Sequence, residues 1–345
     1  MEPTAHRPSS TTPQGDEAAL MSAIVHDRYG SDPAQVLRLA TVSRPTPADG
    51  EVLVRVHAAS IDRGTWHIMA GLPYPIRVAG FGLRTPKHLN PGRSVAGTVT
   101  AVGEAVSALT VGDEVFGICD GSFAEYACAK TGKLAPKPST LSFAQAAAVP
   151  VSGITALQAV RDHGRVEAGQ HVLIIGASGG VGSFAVQITK AFGATVTGVC
   201  SPAKLAHVSA LGADHVIDYT TTDFAGGEQR YDVVLDIGGN SALPRLRRAL
   251  TPRGVLVIVG GETDGRWLGG TGRTIRALLL SPFVSQRLGS FVASENTEAL
   301  TDLTGLVEAG QVTPFIDRTC PLSEVAPAIT RLVEGAARGK TVVTL

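Results

Sequence analysis

The segment Gly176-Ala177-Ser178-Gly179-Gly180-Val181-Gly182 is where residue type and spacing imply chemistry most directly. It follows an apolar, β-branched run, His171–Ile175 (HVLII), and leads into residues 183–192, which have helical spacing. A glycine-rich turn between a strand and a helix lets backbone N–H groups meet a pyrophosphate, and the helix N-terminus adds its positive end. Of the usual G-x-G-x-x-G fingerprint, Ala177 takes the first position while Gly179 and Gly182 stand in place. Glycine-rich connections also occur in α/β proteins that bind nothing. Here the strand before, the helix after and four further strands favour a dinucleotide site.

The end of the next strand discriminates between dinucleotides. NAD binders usually place a carboxylate there, on the ribose hydroxyl. Residues 195–199 instead run into Cys200-Ser201-Pro202-Ala203-Lys204. A hydroxyl with a cation three residues on, and no acid, suits a 2′-phosphate and therefore NADP(H). Read without a ligand, Lys204 is a solvated lysine in the first turn of a helix; the missing carboxylate is common to both readings.

These residues need a frame. The chain has 345 residues, more than one core usually supports, which predicts two domains. With 44% hydrophobic and 17% charged residues it buries a sizeable interior rather than staying disordered. Thirty basic residues balance thirty acidic ones, so charge offers no footprint for nucleic acid or for an anionic membrane surface. Charges, glycine or proline break every apolar stretch short of the roughly 18 residues that a membrane span needs. Cys119, Cys128, Cys200 and Cys320 form no C-x-x-C, and the nine histidines lack H-x-x-x-H spacing, so no metal is expected. The thiols read as small buried hydrophobes in a reducing, cytoplasmic compartment.

Residues 1–20 are rich in Pro, Ser and Thr and lack apolar periodicity or a signal-like core; a disordered tail is expected, with Met21 a candidate start. From there, strand-like segments at 22–25, 51–58, 94–102 and 114–117 are separated by Gly, Pro and Asp turns. In the middle, strands at 171–175, 195–199, 215–217, 231–236 and 254–261 alternate with helices at 183–192, 203–211 and 242–250, the pattern of a parallel sheet covered on both faces. The chain closes with a helix at 296–310, a strand at 312–319, a helix at 322–335 capped by Ser323, and a strand at 340–345. The expected division is a tail (1–20), a strand-rich catalytic domain (21–151 and 295–345) and an inserted dinucleotide domain (152–294).

The run VLIIGASGGVGSFAVQITKAFGATVTGVCS resembles the medium-chain dehydrogenase/reductase superfamily, and within it the zinc-independent quinone oxidoreductase branch, zeta-crystallin-like and reticulon-interacting-protein-like. The likeness covers nearly all of the chain after Met21, through GEVLVRVHAASID, GRSVAGTVTAVG, VGDEVFG, GSFAEYA, AAAVPVSGITAL, LGADHVIDY, YDVVLDIGGN and GKTVVTL. It implies an α/β fold: a GroES-like strand-rich catalytic domain plus an inserted Rossmann doubly wound parallel-sheet domain, with the active site in the cleft. It further implies that Thr155 sits near the nicotinamide and that Ser178, Gly179, Gly180, Val181 and Gly182 hold the pyrophosphate. By the same resemblance Ser201 and Lys204 hold the 2′-phosphate, Tyr219 lies on the adenosine side, Asn240, Val259, Gly260 and Gly261 line the cofactor, and Lys340 reaches it.

Departures from the pattern carry information. Zinc enzymes of the superfamily have a cysteine where this chain has Asp62, and G-H-E where it reads Gly92-Arg93-Ser94; their four-cysteine lobe is missing too. The quinone reductase branch often has N-P at 62–63, here Asp62-Arg63, and commonly an acid where Ser94 stands. The loop DRGTWHIMAG supplies the substrate candidates. His67 aligns with a tyrosine that in relatives lies near the nicotinamide, and an imidazole exchanges protons near neutral pH; packing or binding water is its alternative role. Asp62, Trp66 and Met69 shape the pocket or fill core, and Tyr74 and Phe81 cap the cleft. The resemblance implies metal-independent, NADPH-dependent hydride transfer to a quinone or other conjugated carbonyl (enone). The alternatives are an NADP-dependent alcohol dehydrogenase or ketone reductase, disfavoured without a Lewis acid, and a non-catalytic NADPH-binding protein. Residues 290–294 read as an exposed edge strand, so a homodimer is expected.

Overall fold

The computed structural model describes residues 19–261, 265, 267 and 269–345; the expected tail at residues 1–18 lies outside them. A strand-rich lobe is organised around Glu51–Ile61. On one side this long strand pairs antiparallel with Ser94–Val102, and on the other with Tyr126–Lys130 and then Lys340–Thr344. The sheet continues through Ile316–Pro321 beyond one edge and Glu114–Ile118 and Leu134–Pro136 beyond the other. Val52, Val54, Val56, Ala59 and Ile61 bury against Val95, Val99, Val115 and Phe123. The helix Val325–Val333 covers this core with Val325, Ala328 and Ile329, spaced three and four residues apart as one helix face requires. The C-terminal strand therefore returns to the lobe where the chain began.

The second lobe is a parallel six-stranded sheet in the order His215–Asp218, Thr195–Cys200, His171–Ile175, Tyr231–Asp236, Leu250–Ile258, Arg287–Ser290. Along His171–Ile175, Val172 and Ile174 enter one core and Leu173 and Ile175 the other. Burial on both faces is why the sequence shows an unbroken apolar run there rather than alternation. The strand order reverses between His171–Ile175 and Tyr231–Asp236, and a doubly wound sheet opens a ligand crevice at the carboxyl ends of such a pair.

Local readings shift in several places, and the closing strand expected at 312–319 runs Ile316–Pro321. The helix expected at 203–211 opens as a 3₁₀ turn, Pro202–Lys204, before Leu205–Ala210. Leu322–Glu324 is likewise a 3₁₀ turn, so Ser323 lies within it and does not cap the helix. The strand expected from 254 begins at Leu250. The edge strand is Arg287–Ser290 rather than 290–294. Beyond Ser290 the chain leaves the sheet, because Phe291 stacks on His163 at 4.2 Å and the Ser294 backbone exchanges hydrogen bonds with the Gln158 side chain.

Candidate active site

The glycine turn sits at the reversal point of the parallel sheet. Gly176 adopts φ +86°, and a Cβ there would lie 2.8 Å from the Gly238 backbone nitrogen, so only glycine lets the two strand ends close together. Gly182 lies in the first turn of helix Gly180–Ala191, where a Cβ would meet the Gly176 carbonyl at 2.2 Å. That contact presses the helix N-terminus onto the turn. In front of it is a cavity of about 440 Å³ lined by Gly176, Ser178, Ser201, Lys204, Tyr219 and Asn240, with Ser241, Phe224 and Arg245 added to the expected set. No carboxylate is among its lining residues. A cradle open at glycine, a helix N-terminus, two cations and an exposed tyrosine ring fit a dinucleotide phosphate.

The expected 2′-phosphate residues are together, with a difference. Lys204 donates from Nζ to the Gly335 and Ala337 carbonyls at 2.7 and 2.6 Å, tying its end of the crevice to the segment that leads into the C-terminal strand. Burial holds its amine below the usual lysine range, partly offset by Asp317. The same segment crosses the glycine turn, where the Gly339 N–H donates to the Ser178 carbonyl at 2.8 Å. Val259 and Gly260 turn out of the strand end through N–H bonds to the Asp236 carbonyl. Arg273, which carried no signal in the sequence, ties this wall together: Nη1 bonds Asp236 at 2.5 Å and the Ser241 carbonyl at 2.7 Å, and Nη2 the Gly260 carbonyl at 2.9 Å. Burial pushes the Asp236 carboxyl up and the guanidinium opposes it.

Asp62 and Lys340 are where the structure departs most from a sequence-level picture. Both are buried, Lys340 to 1% exposure, and they form an ion pair inside the strand-rich lobe, where their two strands pair. Ser152 donates to Asp62 Oδ1 at 2.8 Å and Ser94 to Oδ2 at 3.1 Å, while Lys340 Nζ also bonds the Ile61 carbonyl and Ser152 Oγ. Asp62 therefore does not line the substrate cleft; it anchors the N-terminus of helix Arg63–Ala70, whose Thr65 Oγ1 accepts its N–H. Lys340 spends its donors on this cluster. It lies under the phosphate turn, with Cδ 3.1 Å from a Cβ built at Gly180. Thr155 is one turn further along the helix that carries Ser152, its Oγ1 bonded to the Val151 carbonyl.

A second cavity, about 400 Å³, opens between the lobes and is lined by Trp66, His67 and Tyr74 together with Tyr29, Arg63, Arg77 and Gly261. Gly261 thus lines this cavity and not the crevice at the glycine turn. Met69 is fully buried in the core of the strand-rich lobe and does not reach this cleft. Phe81 contributes its carbonyl, which accepts the Tyr29 hydroxyl at 2.7 Å, and its ring is not in the cavity wall. His67 Nδ1 lies 2.8 Å from the Leu72 carbonyl, which places the neutral-state proton on Nδ1. Arg93, at the position of the zinc enzymes' histidine, pairs with Glu295 at 2.5 Å instead. Among the described residues no group of three or more His, Cys, Asp or Glu side chains could hold a metal ion.

Fold and crevice together define a two-lobed dehydrogenase/reductase architecture built around a dinucleotide site. The comparisons agree: residues 48–139 match the alcohol dehydrogenase GroES-like domain family and residues 211–343 the zinc-binding dehydrogenase family. The chain belongs to the medium-chain dehydrogenase/reductase superfamily. Over its full length it is 34% identical to the mitochondrial NAD(P)H oxidoreductase RTN4IP1 of Bos taurus, covering 93% of that protein. It is 32% identical to the 2-methylene-furan-3-one reductase of Solanum lycopersicum, with 94% of this chain and 79% of that one covered. Among solved structures, the quinone oxidoreductase from Coxiella burnetii superposes with a TM-score of 0.83 at 30% identity, covering 95% of this chain and all of that one.

Proposed function

We propose that this protein is an NADPH-dependent, metal-independent oxidoreductase that reduces quinones or other conjugated carbonyls. The observation that carries the reading is the carboxylate-free, cation-bearing crevice at the sheet's reversal point, with an aromatic-walled cleft between the lobes. Similarity to an NAD(P)H oxidoreductase, a quinone oxidoreductase and an enone reductase supports it. When bound, a reduced nicotinamide supplies the hydride. The chain's part is to seat the cofactor with Ser178–Gly182, Ser201, Lys204 and Tyr219, to position the acceptor between the lobes, and to move a proton. His67 is the cleft's titratable imidazole; with Nδ1–H given to Leu72, it donates a proton from Nε2 only as imidazolium.

The test is NADPH consumption with 9,10-phenanthrenequinone, an enone and an aliphatic ketone, each with and without EDTA. Turnover of the first two, unchanged by chelation, is the expected result. Turnover confined to the ketone, or lost to EDTA and restored by zinc, would overturn the reading. Tight NADPH binding without turnover of any of the three would favour the non-catalytic alternative.

The protein acts, in this reading, as a homodimer in a reducing, cytoplasmic compartment. The edge strand Arg287–Ser290 has no second neighbour among the described residues, and Phe283 and Val292 beside it are 85% and 95% exposed. An unpaired edge flanked by apolar side chains invites a symmetry-related copy. Light scattering at micromolar concentration is expected to give twice the chain mass, and Phe283→Lys with Val292→Lys to give a monomer. A wild-type monomer would remove the dimer.

A further inference from the structure

The substrate cleft holds a cation whose arrangement the reductase reading leaves unused. Arg77 is half-buried and lines the cavity. Its Nε donates to the Gly71 carbonyl at 2.9 Å, and its guanidinium lies 4.3 Å from the Tyr29 ring centroid and 4.8 Å from that of Tyr74. Tyr29 is itself held, its hydroxyl bonded to the Phe81 and Gly82 carbonyls at 2.7 and 2.6 Å. The planar group is thus fixed at one nitrogen and against two rings, and its Nη atoms make no hydrogen bond or ion pair with the described residues. A second guanidinium, that of Arg63, lines the same cavity over Trp66 and has partners of its own. The described lining contains no carboxylate.

A neutral acceptor would leave the Arg77 fork in this cleft unused. A guanidinium with its Nη pair unspent and its plane set by aromatic rings presents a fork that matches a carboxylate. The aromatic walls suit the flat conjugated body of the same molecule. We propose that the acceptor is a conjugated carbonyl compound bearing a carboxylate, and that Arg77 is the residue that selects it. This rests on the reductase reading and narrows its substrate class.

The experiment uses two enones of one skeleton: neutral 4-phenylbut-3-en-2-one and its para-carboxylate. For the wild type, kcat/KM is expected to favour the carboxylate by about tenfold or more, as one charge-assisted contact allows. Arg77→Gln is expected to bring the ratio near unity, through KM of the carboxylate. Arg77→Lys, which keeps the charge and loses the fork, is expected to fall between. A ratio that survives in Arg77→Gln, or a wild type that prefers the neutral enone, overturns the proposal. If neither enone turns over, the reductase reading fails by itself, and calorimetric binding of the carboxylate still decides this one. Its Kd is expected to rise about tenfold in Arg77→Gln, and an unchanged Kd rejects the site. NADPH binding by each variant shows that it is folded.

Discussion

Lys340→Met is expected to destabilise the protein by about 3–5 kcal/mol, because it strips the cation from a carboxylate that has no access to water. Asp62 and Lys340 are 6% and 1% exposed, and Asp62 accepts from Ser94, Ser152 and Lys340 at once. Removing the ammonium leaves two hydroxyl donors around a buried charge, which is far from sufficient solvation. Asp62→Asn should cost a similar amount by leaving the lysine unpaired. Thermal melting reads the effect as a fall of roughly 6 °C or more in Tm at 2–4 °C per kcal/mol. A shift of under about 2 °C would show the pair to be solvated.

A second variant asks what the pair is for. The branch that this sequence resembles often has asparagine at 62 and an acid at 94, the reverse of Asp62 and Ser94 here. The structure puts the two side chains 3.1 Å apart, on adjoining strands beside one lysine. A carboxylate at either position would face Lys340. Asp62→Asn combined with Ser94→Asp is expected to recover most of the stability lost in Asp62→Asn alone. Double-variant recovery of this size is a coupling that independent sites do not show.

That exchange explains the limits of reading the sequence. Asp62 and Lys340 are 278 residues apart and nothing in the local text of either announces the other. Asp62 reads as a substrate residue because it opens the cleft loop, and Lys340 as a cofactor residue because it opens the last strand; the structure pairs them with each other instead, and neither lines either cavity. The parallel strands were legible because burial on both faces leaves unbroken β-branched runs such as HVLII. The helix Pro150–Gln158 was not, since it is buried nearly all round and shows no polar face to set a period. Its neighbour Phe143–Ala148 did carry a signal: Ser142 and Gln145 form a capping box, with the Gln145 N–H donating to Ser142 Oγ and the Ser142 N–H to Gln145 Oε1. Tyr29 and Arg77 carry none, because the cleft assembles them from a loop before helix Arg63–Ala70 and the π-helical turn Arg77–Phe81 after it.

Lys204→Ala is expected to raise the NADPH dissociation constant by one to two decades while weakening NADH much less. The 2′-phosphate is a near-dianion, and one charge-assisted contact with it contributes roughly 1.5–3 kcal/mol. Ser201 and Lys204 line the crevice in which Tyr219 also lies, and no acid is among its lining residues. An ammonium has three donors; Lys204 gives two to the Gly335 and Ala337 carbonyls, which leaves one for phosphate and fixes the amine in place. The same two bonds give the lysine a second role, holding the segment that crosses the phosphate turn. Some loss of NADH affinity is therefore expected as well, and the informative quantity is the ratio of the two dissociation constants, which should fall by about tenfold or more. Burial lowers this amine's pKa, so it loses its proton at a lower pH than an exposed lysine would. The NADPH preference should accordingly decline as pH rises through that lowered value, while NADH binding changes little. Ser201→Asp places a carboxylate against the phosphate and should move preference toward NADH. Equal weakening of both cofactors in Lys204→Ala, with no pH dependence of their ratio, would leave the lysine as a loop anchor and the 2′-phosphate without its cation.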